Sequence, residues 1–231
     1  MRRTLAPALL SLFFATAHAQ TPKQPKVAPG PMEPNWDVVL EKLYGLKMYD
    51  DLKNPVTSTP EATPGLFKKA GPGPVAYRPA VALGLETTTR GGWYTPGTGG
   101  KRPQKRALWS YQRKNTTRDI ETGANLPPRP AEGSTTEFDP GDAPFGLWVS
   151  NDGLDDGGVF TEPGAVAAIN KRLAKQPYKA MIYPNKDKTT GKFVPHSYII
   201  GWEYSTNDDF QDVVTRVDNV DLVNPDGSAA K

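Results

Sequence analysis

Alternation of apolar and polar positions is clearest near the C-terminus. In Tyr198–Tyr204, residues Tyr198, Ile200, Trp202 and Tyr204 share one face, and Ile199, Gly201 and Glu203 share the other. In Phe210–Val217, residues Gln211, Val213, Thr215 and Val217 share a face, opposite Phe210, Asp212, Val214 and Arg216. Side chains alternate across a strand, so each run predicts a strand able to bury one face. The short segment Ser205–Asp209 suits a hairpin loop, which would bring Glu203 close to Asp212. Other short β-rich runs are punctuated by Gly, Pro, Asn and Asp. They predict strands near Val75–Tyr77, Ala80–Thr88, Gly92–Tyr94, Ala107–Arg113, Phe145–Ser150 and Lys179–Tyr183, with an edge strand over Asn219–Val223. The expected fold is mostly β: an antiparallel, jelly-roll-like β-sandwich over residues 57–224 with one or two short helices. No internal repeat is present.

Helical spacing occurs twice. In Asn35–Leu52, Trp36, Val39, Leu40, Leu43 and Leu46 recur at three- and four-residue intervals and form one apolar stripe. Asn35 suits the N-cap, and Gly45 weakens the pattern. This lead-in segment, residues 35–56, is expected to pack on the main domain. Pro163–Lys175 predicts a second helix, with Val166, Ile169 and Leu173 on one face and Pro163 in its first turn. Asn115–Pro144 reads as a long polar loop. Residues 20–34 are a Pro-rich linker, too poor in apolar surface to order themselves, and 225–231 a flexible tail.

The ends and the composition narrow the setting. Arg2 and Arg3, the apolar run Leu5–Ala17 and the Ala17-His18-Ala19 site predict a secretory signal peptide over residues 1–19, cleaved after Ala19. The run is too short to span a bilayer, so a secreted or periplasmic protein with no transmembrane segment is expected. Cleavage would remove Arg2 and Arg3 and no acid, taking 28 basic and 25 acidic residues to 26 and 25. That balance does not suggest nucleic-acid binding. The chain has no cysteine, which excludes thiol catalysis and thiolate metal sites. His196 is the one histidine beyond the signal peptide, which excludes a histidine-rich zinc site. The basic cluster Lys101–Arg106 reads as a solvated loop, with an anion-binding patch as its alternative.

The chemistry concentrates in one acidic segment. Glu203, Asn207, Asp208, Asp209 and Asp212 lie at the predicted strand–turn–strand junction. Calcium takes six to eight oxygen ligands on a loop that can wrap it, and clustered carboxylates repel unless a cation or a proton intervenes. Calcium is therefore the candidate cofactor here, and a solvated turn is the alternative. Asp155 and Asp156, in the Gly-rich turn after Ser150, are candidates to complete the site or to form a second one. Trp93 and Tyr94 follow Gly91-Gly92 and precede a Gly/Pro loop, so they are the candidate ligand-binding aromatics. Flat rings stack on sugars; the weightier alternative is that these rings are core, since large aromatics dominate sandwich interiors.

The runs FGLWV (Phe145–Val149) and YIIGWEY…NDDFQDVV (Tyr198–Val214), with the acidic Gly-rich turn between them, resemble the bacterial domain of unknown function DUF4114. The resemblance covers Phe145–Val223. It implies an exported β-rich module, Glu203 as the acidic strand residue, and Asp209–Val214 as the family's Asp-Tyr/Phe-Asn-Asp-Val-Val run. Tyr204 departs from the family's acid after Glu203, and Gln211 from its Asn.

Three functions remain open. The leading expectation is a non-catalytic, calcium-stabilised module that binds an extracellular or cell-surface component, with polysaccharide as a candidate. A carboxylate-dependent, glycosidase-like hydrolase would use Glu203 with Asp212, one held protonated by its surroundings. A purely structural envelope protein is the third.

Overall fold

The computed structural model describes residues 36–45, 65–82, 88–97, 102–112, 127–152, 157–204, 210, 212–223 and 228. Two antiparallel sheets form a β-sandwich. Its strands are β1 (Leu66–Lys69), β2 (Val75–Ala82), β3 (Thr88–Thr95), β4 (Gln104–Gln112), β5 (Glu137–Phe138), β6 (Phe145–Asn151), β7 (Val159–Phe160), β8 (Ala180–Lys186), β9 (Phe193–Trp202), β10 (Val213–Asp218) and β11 (Val220–Val223). The first sheet runs β11-β1-β6-β3-β4, with β7 also on β6; the second runs β5-β2-β10-β9-β8. The outer pairs nest as in a jelly roll, β1 with β11 and β2 with β10, while β8, β9 and β10 form a meander. Helix α1 (Trp36–Val39) continues into a π-helical turn, Leu40–Tyr44, and α2 (Pro163–Ile169) follows β7.

The two alternating runs sit in the predicted phase. Ile200, Trp202, Tyr204, Val213 and Val217 face the first sheet and join its Leu66, Trp93, Leu147 and Phe160 in one core. Aromatic contacts thread this core: Trp93 stacks on Phe138 at 5.2 Å, and Tyr94 meets Phe160 edge-on at 5.2 Å. Burying each such side chain contributes about 1.5–3 kcal/mol. Trp202 also donates its indole N–H to Thr215 Oγ1, 2.8 Å away, across the β9–β10 ladder.

One expectation needs correction. The second sheet buries both faces. Val81, Met181, Tyr183, Ile199 and Val214 form a second apolar cluster on the outer face, with Val39 of α1 and Phe210. Val38 and Leu43 pack against it. Val39 and Leu43 of the lead-in stripe thus help cover this face. Lys188 Nζ donates to the carbonyl of Lys42 and ties the helical turn to the β8–β9 hairpin.

Other departures have local causes. β2 runs through Pro79 beside a bulge where the β10 register shifts between Val214 and Thr215, a place where a strand tolerates proline. The predicted strand Ala80–Thr88 divides between the end of β2 and the start of β3. The described part of the Asn115–Pro144 loop contains β5 and seals one side of the sandwich. Ala131 N donates to Ser110 O and Thr135 N to Leu108 O on the first sheet, while Tyr77 N on the second donates to Thr136 O. The second helix stops at Ile169 and gives way to turns through Lys175.

At the crossing from β10 to β11 the chain changes sheet. Asn219 takes φ 65° there, a conformation that Asn tolerates better than most residues. Its side-chain amide donates to the Pro74 carbonyl at 3.1 Å, and its own carbonyl accepts from Ala70 N at 3.1 Å.

Candidate functional site at the end of the second sheet

The β9–β10 ladder pairs Trp202 with Val213, so the residues just beyond it, Glu203 and Asp212, must converge. Asp212 Oδ2 accepts a hydrogen bond of 2.8 Å from Tyr204 N. Glu203 N donates to Lys179 O at 3.1 Å, which continues the β8–β9 ladder by one residue. By the alternation of both strands, Lys179 and Glu203 share the outer face with Met181 and Ile199. All three ionisable groups are withdrawn from solvent: Glu203 is 0 % exposed, Lys179 1 % and Asp212 7 %. Arg172, after α2, donates to Tyr204 O at 3.0 Å. Buried charge must be paired or neutralised, and each of Lys179, Glu203 and Asp212 has a polar or electrostatic partner.

Asn207, Asp208 and Asp209, the centre of the predicted calcium loop, lie outside the described residues, as do Asp155 and Asp156. Among the described residues no group of three His, Cys, Asp or Glu side chains could hold a metal ion. The site residues described are thus Glu203 and Asp212, which bracket the acidic segment. Glu203 and Asp212 both offer carboxylate oxygens, the donor type that calcium selects.

Trp93 and Tyr94 fill the core, the alternative to ligand binding. Trp93 is 6 % exposed and Tyr94 0 %. The Arg106 guanidinium covers the Trp93 ring at 4.6 Å from its centroid, while the ring also stacks on Phe138. Neither ring offers a face to a sugar. The double glycine before them is a packing notch in β3: a Cβ on Gly91 would lie 2.1 Å from Trp109 Cζ2, and one on Gly92 would lie 2.0 Å from Arg106 O. The described end of the basic cluster is likewise occupied. Lys105 Nζ sits 4.8 Å from the Trp148 ring centroid and donates to Gly157 O at 2.7 Å.

Two further groups escaped the sequence reading. Glu162, just before α2, accepts a hydrogen bond of 2.8 Å from the buried Tyr94 hydroxyl. Burial holds its carboxyl above the usual range, partly offset by the Tyr94 bond. The Tyr94 phenol is itself pushed well up, by burial first and then by the Glu162 charge. Lys179 is the other. Its placement against Glu203 is a property of strand pairing, and a single lysine in a β-run carries no signal of it.

No protein-family model matches the chain, and no curated protein or solved structure matches it.

Proposed function

We propose that the protein is an exported, non-catalytic β-sandwich module that binds an extracellular or cell-surface component, with calcium held by the turn between Glu203 and Asp212. The observation that carries the reading is the convergence of Glu203 and Asp212, which bracket in sequence the oxygen-rich residues Asn207, Asp208 and Asp209. Their oxygens make a hard-cation donor set. The resemblance of the Phe145–Val223 segment to DUF4114 fits the exported, β-rich part of this reading.

The burial of the carboxylates argues against the hydrolase alternative. Glu203 has no exposed surface, and one oxygen of Asp212 is engaged by a backbone N–H. A glycosidase needs both carboxylates at a substrate. The buried Trp93 and Tyr94 point to a ligand other than a sugar stacked on those rings. A second reading, the structural envelope protein, is favoured by Lys179. Its side chain belongs to the same face as Glu203 and is the candidate protein-borne counter-charge.

Calorimetric titration of calcium into the chelator-treated mature chain, from Gln20, separates the two. The module reading expects one saturable site that Asp212→Ala abolishes. Absence of binding heat would leave Glu203 and Asp212 compensated within the protein and favour the structural reading.

A further inference from the structure

The outer face of the second sheet has a basic end as well as an acidic one. Arg78 on β2 and Arg216 on β10 are directly opposite each other in the ladder. Side chains at those positions point away from the core that holds Tyr77 and Val217. Both guanidiniums hold one carboxylate: Arg78 Nη2 lies 2.9 Å from Asp218 Oδ2 and Arg216 Nε 2.8 Å from Asp218 Oδ1. Ser197 Oγ also donates to Asp218 Oδ1, at 2.6 Å. Asp218 is therefore fully engaged, and the three charges sum to one excess positive charge. A guanidinium carries five N–H donors, and these contacts use one nitrogen of each. Both side chains are part-exposed, 48 % for Arg78 and 40 % for Arg216.

These arginines flank a groove of about 280 Å³ whose remaining walls are Leu43, Pro79, Ala80, Val81 and Pro127. Every one of those five side chains is apolar. Leu43 comes from the π-helical turn, whose neighbouring residue Lys42 is tied to Lys188, so this wall is fixed at its far side. Pro79 and Ala80 come from the bulged part of β2, where the backbone leaves regular pairing. An apolar trough with two guanidiniums at its border matches one ligand chemistry: an alkyl chain that ends in an anion. Guanidinium pairs carboxylates by planar, two-pronged hydrogen bonding, and the trough removes the chain from water.

We propose that this groove binds a medium-chain alkyl carboxylate, with its chain over Leu43, Ala80 and Pro127 and its carboxylate between Arg78 and Arg216. The assignment rests on the reading of the chain as a binding module and gives that module a ligand class. It does not depend on the cation, because none of the groove's wall residues belongs to the acidic segment.

The test is calorimetric titration of sodium decanoate, below its micellar concentration, into the mature chain without added calcium. Decanol serves as the uncharged analogue. The expected result is saturable binding of decanoate that is at least tenfold tighter than that of decanol. Ala80→Trp, which fills the trough, should weaken decanoate at least tenfold. The double variant Arg78→Gln/Arg216→Gln alters only part-exposed side chains and provides the readout if Ala80→Trp fails to fold. It should bring decanoate down to the affinity of decanol. No decanoate binding, equal binding of decanol, or undiminished binding by the double variant would each overturn the assignment. A failure here leaves the calcium titration untouched, and a failure of the calcium titration leaves this groove untouched.

Discussion

Asp212→Ala probes the hinge of the account. The substitution removes the acceptor of Tyr204 N, a buried backbone N–H at the exit of β9. Hydrogen bonds to charged groups contribute about 1.5–3 kcal/mol, and an orphaned buried donor costs a similar amount. The methyl side chain cannot reach Tyr204 N, and the residue is too buried for water to replace the carboxylate easily. We therefore expect a loss of about 2–3 kcal/mol in calcium-free buffer. At about 2–4 °C per kcal/mol for a domain of this size, the melting midpoint should fall by roughly 4–12 °C. Asp212→Asn keeps an oxygen acceptor and loses only the charge assistance, so its loss should be about half as large. The assay is thermal unfolding followed by near-ultraviolet circular dichroism, with urea unfolding as a second measure of stability. A midpoint within about 2 °C of the parent for Asp212→Ala, below even a 1 kcal/mol loss, would refute the claim that this carboxylate pins the turn.

Three other perturbations follow from the same geometry. Thr215→Val leaves the buried Trp202 indole N–H without its acceptor, which should cost about 1–3 kcal/mol; Thr215→Ser should restore most of it in urea unfolding, and equal stability of Val and Thr would count against the bond. Gly146→Ala should destabilise by about 1–3 kcal/mol or more, because the new Cβ would lie 2.1 Å from Tyr94 Cζ; an unchanged urea midpoint would show that the Tyr94 ring can move. Glu162 carries a pH signature. Its folded carboxyl is raised from the ordinary 4.5 by burial, so its contribution is fully present below about 4.5 and is lost as pH rises through the folded value. Glu162→Gln should therefore flatten the fall in stability above that pH, and a parallel pH profile for the two proteins would contradict the assignment.

Much of the architecture was legible because burial on the inner face follows the two-residue period. Ile200, Trp202, Val213 and Val217 were placed by alternation alone. β1, β5 and β7 were not. Leu66 and Phe67 are buried in succession, so this four-residue strand shows no alternation to read. β5 and β7 are two residues each, shorter than any periodic signal. The outer cluster around Ile199 was hidden for a different reason: its cover, α1, comes from a segment far away in sequence.

The site was legible in composition and only partly in arrangement. The acids near Glu203 announce themselves, and the hairpin argument places Asp212 beside them. Strand register is what sets Lys179 against Glu203, and it also sets Arg78 against Arg216; neither pair can be read without knowing which residues face each other. Trp93 shows the opposite hazard. Gly91-Gly92 suggested an exposed ring beside a loop, yet the missing side chains make room for Trp109 and for the β4 backbone, and the ring itself lies between Phe138 and Arg106.

The most direct test of the calcium module is the melting midpoint of the mature chain, measured in excess EDTA and again in millimolar calcium. A ligand that binds only the folded state stabilises it by about 2.7 kcal/mol at one hundred times its dissociation constant. At about 2–4 °C per kcal/mol this predicts a rise of roughly 5–11 °C, and no rise in Asp212→Ala. Identical midpoints for the parent chain in calcium and in chelator would contradict the account and leave Glu203 and Asp212 as parts of a buried, protein-compensated charge cluster.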